Sequence, residues 1–168
     1  MTLKTRLLIA VTAALAASGI ARAAHNINCN DPYETDVSAI FYNVDNEYDD
    51  FKDFIEDHTG VNLQSCFENR FKDNGDVRCT NLSTGLIGYS IPGDDHIKID
   101  TGWLGGLPQS TDADQKFRRA CIVGTMAHEF AHSCFSTEAR AELIDDAAFG
   151  WWQQRFDATG YFSNCPQN

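Results

Sequence analysis

Residues 110 to 135 contain no proline, and along them small, apolar and imidazole side chains recur at the spacing of one helix face. Phe117, Cys121, Gly124, His128 and His132 fall three or four residues apart, with Ile122, Met126 and Phe130 on the adjoining side. Ser110 or Thr111 can act as N-cap, and Asp112 and Asp114 complement the positive end of the helix dipole. The pattern predicts a helix of about six turns reaching Cys134. No other segment restricts the architecture as much, because everything else must pack around this rod.

Near its end the helix reads Ala127-His128-Glu129-Phe130-Ala131-His132. His128 and His132 leave the same face one turn apart and can share a cation as metal ligands. Glu129 borders that face, where a carboxylate can take a proton from a water that the cation activates. One zinc ion is the cofactor expected of such a donor set.

The first residues read as a targeting segment. Lys4 and Arg6 precede an apolar run from Leu7 to Ala17, followed by Ala21-Arg22-Ala23. This predicts a signal peptide over 1–23 cleaved after Ala23, too short to span a membrane. The remainder, 24–168, is the right size for one domain, expected to be secreted or periplasmic and monomeric. Losing Lys4, Arg6 and Arg22 takes the formal charge from -11 to about −14. That charge argues against nucleic acid as a partner, and no later segment predicts a membrane span.

Cys29, Cys66, Cys79, Cys121, Cys134 and Cys165 all lie after the signal, an even count suited to disulfides in an oxidising compartment. No Cys-x-x-Cys spacing recommends them as zinc ligands. Cys66–Cys79, across Asn74-Gly75, and Cys134–Cys165 are the pairs expected.

Asp31-Pro32-Tyr33-Glu34 resembles a helix start, with Asp31 as N-cap and Pro32 at N1. Val37, Phe41, Val44, Tyr48, Phe51 and Ile55 then form one apolar stripe, predicting a single helix that ends near Gly60. The acids Asp45, Glu47, Asp49, Asp50 and Asp53 lack the register of a calcium loop and read as a solvated face. Between Asn74 and Trp103 the period shortens. Leu86–Ile91 and His96–Thr101 flank Pro92-Gly93-Asp94-Asp95 as a hairpin, with His96 an exposed strand-start residue rather than a ligand. Asn81-Leu82-Ser83 matches a glycosylation sequon, relevant only in a eukaryotic host.

A catalytic zinc needs a third protein ligand. After His132, Ser133-Cys134-Phe135-Ser136 forms a short connection to a second helix, and counting back from that bend puts Glu138 level with His132 and Glu142 level with His128. Geometry leaves the two open, with Asp145 a further acid in reach.

His128-Glu129-Phe130-Ala131-His132 resembles the zincin metallopeptidases, and Ala141-Glu142-Leu143-Ile144-Asp145-Asp146-Ala147-Ala148-Phe149-Gly150 is similar to the gluzincin second helix. The resemblance covers about residues 96–150. It implies His128, His132 and Glu142 as zinc ligands, Glu129 as general base, and Asp146 bonded to the outer nitrogen of His128. It also implies a strand at His96–Thr101 running beside the cleft, a free edge onto which an extended peptide can add. The chain departs from thermolysin-like enzymes in having only ten residues from His132 to Glu142. Glu138, six beyond His132, instead holds the position of the third metzincin ligand. There Phe135 replaces a glycine whose backbone conformation phenylalanine adopts poorly.

The expected fold is α+β and zincin-like: a small sheet with a scaffold helix, the HExxH helix and a C-terminal backing helix. The expected function is zinc-dependent hydrolysis of protein or peptide substrates, with Tyr161 the candidate oxyanion donor. Peptidoglycan stem-peptide hydrolysis at the same site, or a non-catalytic zinc-binding or toxin-like interaction protein, are the alternatives. An intact Glu129 speaks against the last.

Overall fold

A computed structural model describes residues 25–83, 85–158 and 165–166. The expected signal peptide and Tyr161 lie outside the described residues. Elements follow in the order β1 (Asn26–Asn28), α1 (Tyr33–Asn46), α2 (Tyr48–Thr59), α3 (Ser65–Lys72), β2 (Asp76–Thr80), β3 (Gly88–Ser90), β4 (His96–Asp100), α4 (Thr101–Gly106), α5 (Asp112–Ser133) and α6 (Glu138–Arg155). The architecture is α+β, as the change of sequence period around residue 74 predicts. No helix among the described residues is long and apolar enough to cross a membrane.

The four strands form one mixed sheet in the order β1-β2-β4-β3. β2 lies parallel to both β1 and β4, and β3 runs antiparallel to β4 as the outer half of the expected hairpin. The strand beginning at His96 is therefore not the free edge. Its Ile97 and Ile99 are fully buried, and both its sides are paired. The edge beside the cleft is β3.

Helix α5 occupies the centre of the molecule. Thr111 caps it through a reciprocal pair: Thr111 Oγ1 accepts from the Asp114 amide at 3.1 Å, and Asp114 Oδ2 accepts from the Thr111 amide at 2.8 Å. One face of α5 enters an aromatic core in which Phe130 meets Phe71 at 5.1 Å between ring centroids, and Phe71 meets Phe51 at 5.2 Å. α6 packs antiparallel along another face of α5.

The single helix expected from Tyr33 to Gly60 is two. α1 ends and α2 begins at Glu47, which leaves helical geometry at φ -125°, ψ 30°. The apolar spacing continues across the break, where contacts from α6 gather. Arg155 of α6 grips Glu47 through two nitrogens, and the bend lets Phe51 reach Trp151 at 5.0 Å while Phe41 stays against α3 and α5. Gly60 does close α2 in the left-handed conformation, at φ 67°. At the start of α1, Asp31 accepts from the Thr35 hydroxyl rather than capping the helix.

All six cysteines form disulfides, but not in the expected pairs. Cys29 bonds Cys79, Cys66 bonds Cys134 and Cys121 bonds Cys165. Parallel pairing of β1 with β2 sets Asn28 opposite Arg78, so Cys29 and Cys79 come next in register. Cys66, on α3, is bridged instead to Cys134 at the end of α5. No free cysteine remains to bind metal among the described residues, and three disulfides fit an oxidising compartment.

Candidate metal centre

The bend after α5 is a Schellman turn. The Phe135 amide donates to the His132 carbonyl at 2.9 Å, and the Ser136 amide donates to the Ala131 carbonyl at 3.0 Å. That motif requires a left-handed residue at Phe135, and its φ is 64°. The objection that phenylalanine adopts this backbone poorly is overcome by what surrounds it. The Cys66–Cys134 bridge ties the helix end to α3, and Arg70 of α3 donates to the Asp94 carbonyl at 2.9 Å and to Ser133 Oγ at 3.4 Å. The Gly93 amide then donates to the Ser133 carbonyl at 2.8 Å, locking the β3–β4 turn against the same point.

This turn delivers Glu138 to the two histidines. Glu138 Oε2 lies 2.9 Å from His132 Nε2, and Oε1 lies 3.5 Å from His128 Nε2. One donor atom from each residue lies within 4.8 Å of the others, so His128, His132 and Glu138 can hold a metal ion. The His132 Nδ1 nitrogen sits 3.2 Å from the Ser136 carbonyl, a contact in which it donates, leaving Nε2 as the free lone pair. Two imidazoles and a carboxylate suit zinc, whose bonds of about 2.0 Å put tetrahedral ligands roughly 3.3 Å apart. The 2.9 and 3.5 Å approaches are made by different oxygens of Glu138, so its carboxylate spans the two rings.

Glu142, the third ligand implied by the gluzincin resemblance, is outside this group. It lines the same cleft, as Asp145 and Asp146 also do. Glu138, Glu142 and Asp145 are spaced four and three apart along α6, so all three share the stripe that faces α5. Asp145, rather than the expected Asp146, approaches the outer nitrogen of His128, at 3.9 Å and so beyond hydrogen-bond length. It can do so because Gly124 lies one turn before His128: any Cβ at Gly124 would overlap Asp145 Oδ1. His96 pairs loosely with Asp94 at 3.8 Å and takes no part in the group.

Glu129 is buried, with 7% of its surface exposed. Its Oε2 accepts from the Ser90 hydroxyl of β3 at 2.7 Å. Burial holds its carboxyl above the usual range, and the nearby Glu138 adds to this while Ser90 and His132 oppose it. Burial likewise pushes Asp145 up to about 7, reinforced by Asp146, Glu129 and Glu142. His128 is held below its ordinary value by burial and then by His132, which favours the neutral imidazole that a metal needs.

The cleft measures about 690 Å³ and is walled by Leu86, Ile87, Gly88, Tyr89 and Ser90 on one side and by the histidines and α6 acids on the other. Sequence reasoning missed Gly88 and Ser90. Their signal was the strand alternation itself, which puts a glycine and a serine at inward positions where apolar residues are the norm. No family model, curated protein or solved structure matches the chain.

Proposed function

We propose that this chain is a secreted zinc peptidase in which His128, His132 and Glu138 hold the ion and Glu129 is the general base. The observation that carries the reading is the convergence of His128 Nε2, His132 Nε2 and Glu138 beside a buried glutamate that supplies none of the three metal donors. A site built only to stabilise the fold has no use for that glutamate.

When bound, zinc supplies Lewis acidity that makes water nucleophilic near neutral pH and polarises a substrate carbonyl. The chain's own residues do the rest. Glu129 accepts the proton from water as it attacks the peptide carbonyl, then returns it to the departing amine. Ser136 keeps the His132 ring turned toward the site through Nδ1. β3 is the outer strand of the sheet, pairing only with β4 among the described residues, and it lines the cleft, where an extended peptide can lie against it. The zincin resemblance of the HExxH residues supports the same chemistry, with the metzincin spacing of Glu138 in place of the gluzincin spacing of Glu142.

The test is cleavage of an unfolded-protein and peptide library by the zinc-loaded mature chain, with and without chelator. Wild type should cleave in a chelator-sensitive manner. Glu129→Gln should keep its zinc and fold but lose at least ~10²-fold in kcat. A fully zinc-loaded wild type that cleaves nothing, or a Glu129→Gln variant as active as wild type, overturns the reading.

A further inference from the structure

β3 does more than close the sheet. Gly88 stands opposite Ile99, and Ser90 opposite Ile97. Directly paired residues point to the same side of a sheet, and both isoleucines are fully buried, so positions 88 and 90 look inward toward α5. An inward position on such a strand ordinarily carries a branched apolar side chain. Here the space belongs to Glu129. A Cβ at Gly88 would stand 2.7 Å from Glu129 Cγ and 2.8 Å from Cδ, and would also overlap Oε1. The Ser90 hydroxyl, two residues on, donates to Oε2 at 2.7 Å.

The two contacts act on different freedoms of one side chain. Gly88 leaves room for the carboxyl close against the strand, and Ser90 restrains its rotation about the last bond. That torsion is broad in an unrestrained glutamate. A base must meet its proton within a few tenths of an ångström of hydrogen-bond distance, so an unrestrained carboxylate would spend much of its time misaligned. The strand is itself anchored near the metal site, through the Gly93–Ser133 backbone bond and the Asp100 amide donating to the Ile87 carbonyl at 2.8 Å. Base and metal ligands are thus held in one frame.

We infer that Gly88 and Ser90 are positioning residues for Glu129, the β3 edge serving as a template for the catalytic base as well as a wall of the cleft. This rests on the peptidase reading, and the two can fail separately.

The experiment compares zinc-loaded wild type with Ser90→Ala, Ser90→Thr and Gly88→Ala by zinc content, melting temperature, kcat and KM on a library peptide, and crystal structures. Ser90→Ala should keep its zinc and its KM within about twofold while kcat falls about tenfold, the scale of losing one hydrogen bond to a charged group. Ser90→Thr, which retains the hydroxyl, should recover most of that loss. Gly88→Ala should lose more, with the Glu129 carboxylate displaced in the crystal. Wild-type kcat in both Ser90→Ala and Gly88→Ala overturns the inference, as does a loss of activity that merely tracks lost zinc or lost fold. If wild type cleaves no peptide, the peptidase reading falls, and the crystals decide the inference alone. Glu129 displaced in both variants supports it, and Glu129 unmoved overturns it.

Discussion

Toward the core, α5 buries Ile122, Met126 and Phe130, the last among aromatic rings, while toward the cleft the same helix presents Thr125, His128, Glu129 and His132. The first face lowers the free energy of the fold through apolar area removed from water. The second face, with α6 across from it, gathers imidazoles and acids, and burial disfavours the charged forms of Glu129 on α5 and Asp145 on α6. The difference teaches that the site is held against its own electrostatics by structure built elsewhere: the aromatic core behind it, the Cys66–Cys134 bridge at its end and β3 across from it. Substitutions on the two faces should therefore separate stability from metal binding and activity.

The largest effect expected is on the core face. Phe130→Ala removes a fully buried ring that touches both Phe41 and Phe71, and should cost about 3–5 kcal/mol of unfolding free energy in denaturant titration. If it unfolds like wild type, the core is not where the fold's stability lies. On the cleft face, Glu138→Ala should weaken zinc binding by at least ~10-fold in a competition titration, with the metal-free protein no less stable than wild type. Glu142→Ala should bind zinc nearly as wild type does. The opposite ranking would restore Glu142 as the ligand and break the link between the Schellman turn and the metal.

The smallest effect is a pH dependence at the edge of the core. His25 stacks on Phe41 with ring centroids 3.8 Å apart, and its Nδ1 is buried without a hydrogen-bond partner among the described residues. Burial lowers its pKa below 6.5, against the opposing pull of Asp45 and Asp73. Because the folded value is depressed, its contribution to stability is present above 6.5 and is lost as pH falls through the folded value. His25→Phe keeps the stack and removes the titration, so its melting temperature should fall less than that of wild type between pH 7 and pH 5. Parallel curves for the two proteins would show that His25 is not buried in its neutral form.

The parts of the fold that were legible in the sequence are those where local signals agree with one another. α5 has a capping box, an uninterrupted helical period and no proline, and it runs within two residues of its expected limits. The β3–β4 hairpin is announced by its turn residues. The α1–α2 break was not legible, because the contacts made around it, Arg155 on Glu47 and Trp151 against Phe51, come from α6 far along the chain. Disulfide pairing depends on strand register and helix contacts, which cysteine spacing does not encode. The carboxylate that joins the two histidines shows a subtler case. Glycine preference at the left-handed position argued against Glu138, yet Phe135 is held there at φ 64° by the hydrogen bonds and bridge around it. Local cost was readable in the sequence, and the tertiary restraint that meets it was not.

The most direct test of the metal centre is elemental analysis of the mature, disulfide-bonded protein after exposure to zinc and exhaustive dialysis. Wild type should retain close to one zinc per chain, and His128→Ala and His132→Ala should retain almost none. A wild type that emerges metal-free, or histidine variants that keep their zinc, would contradict the account.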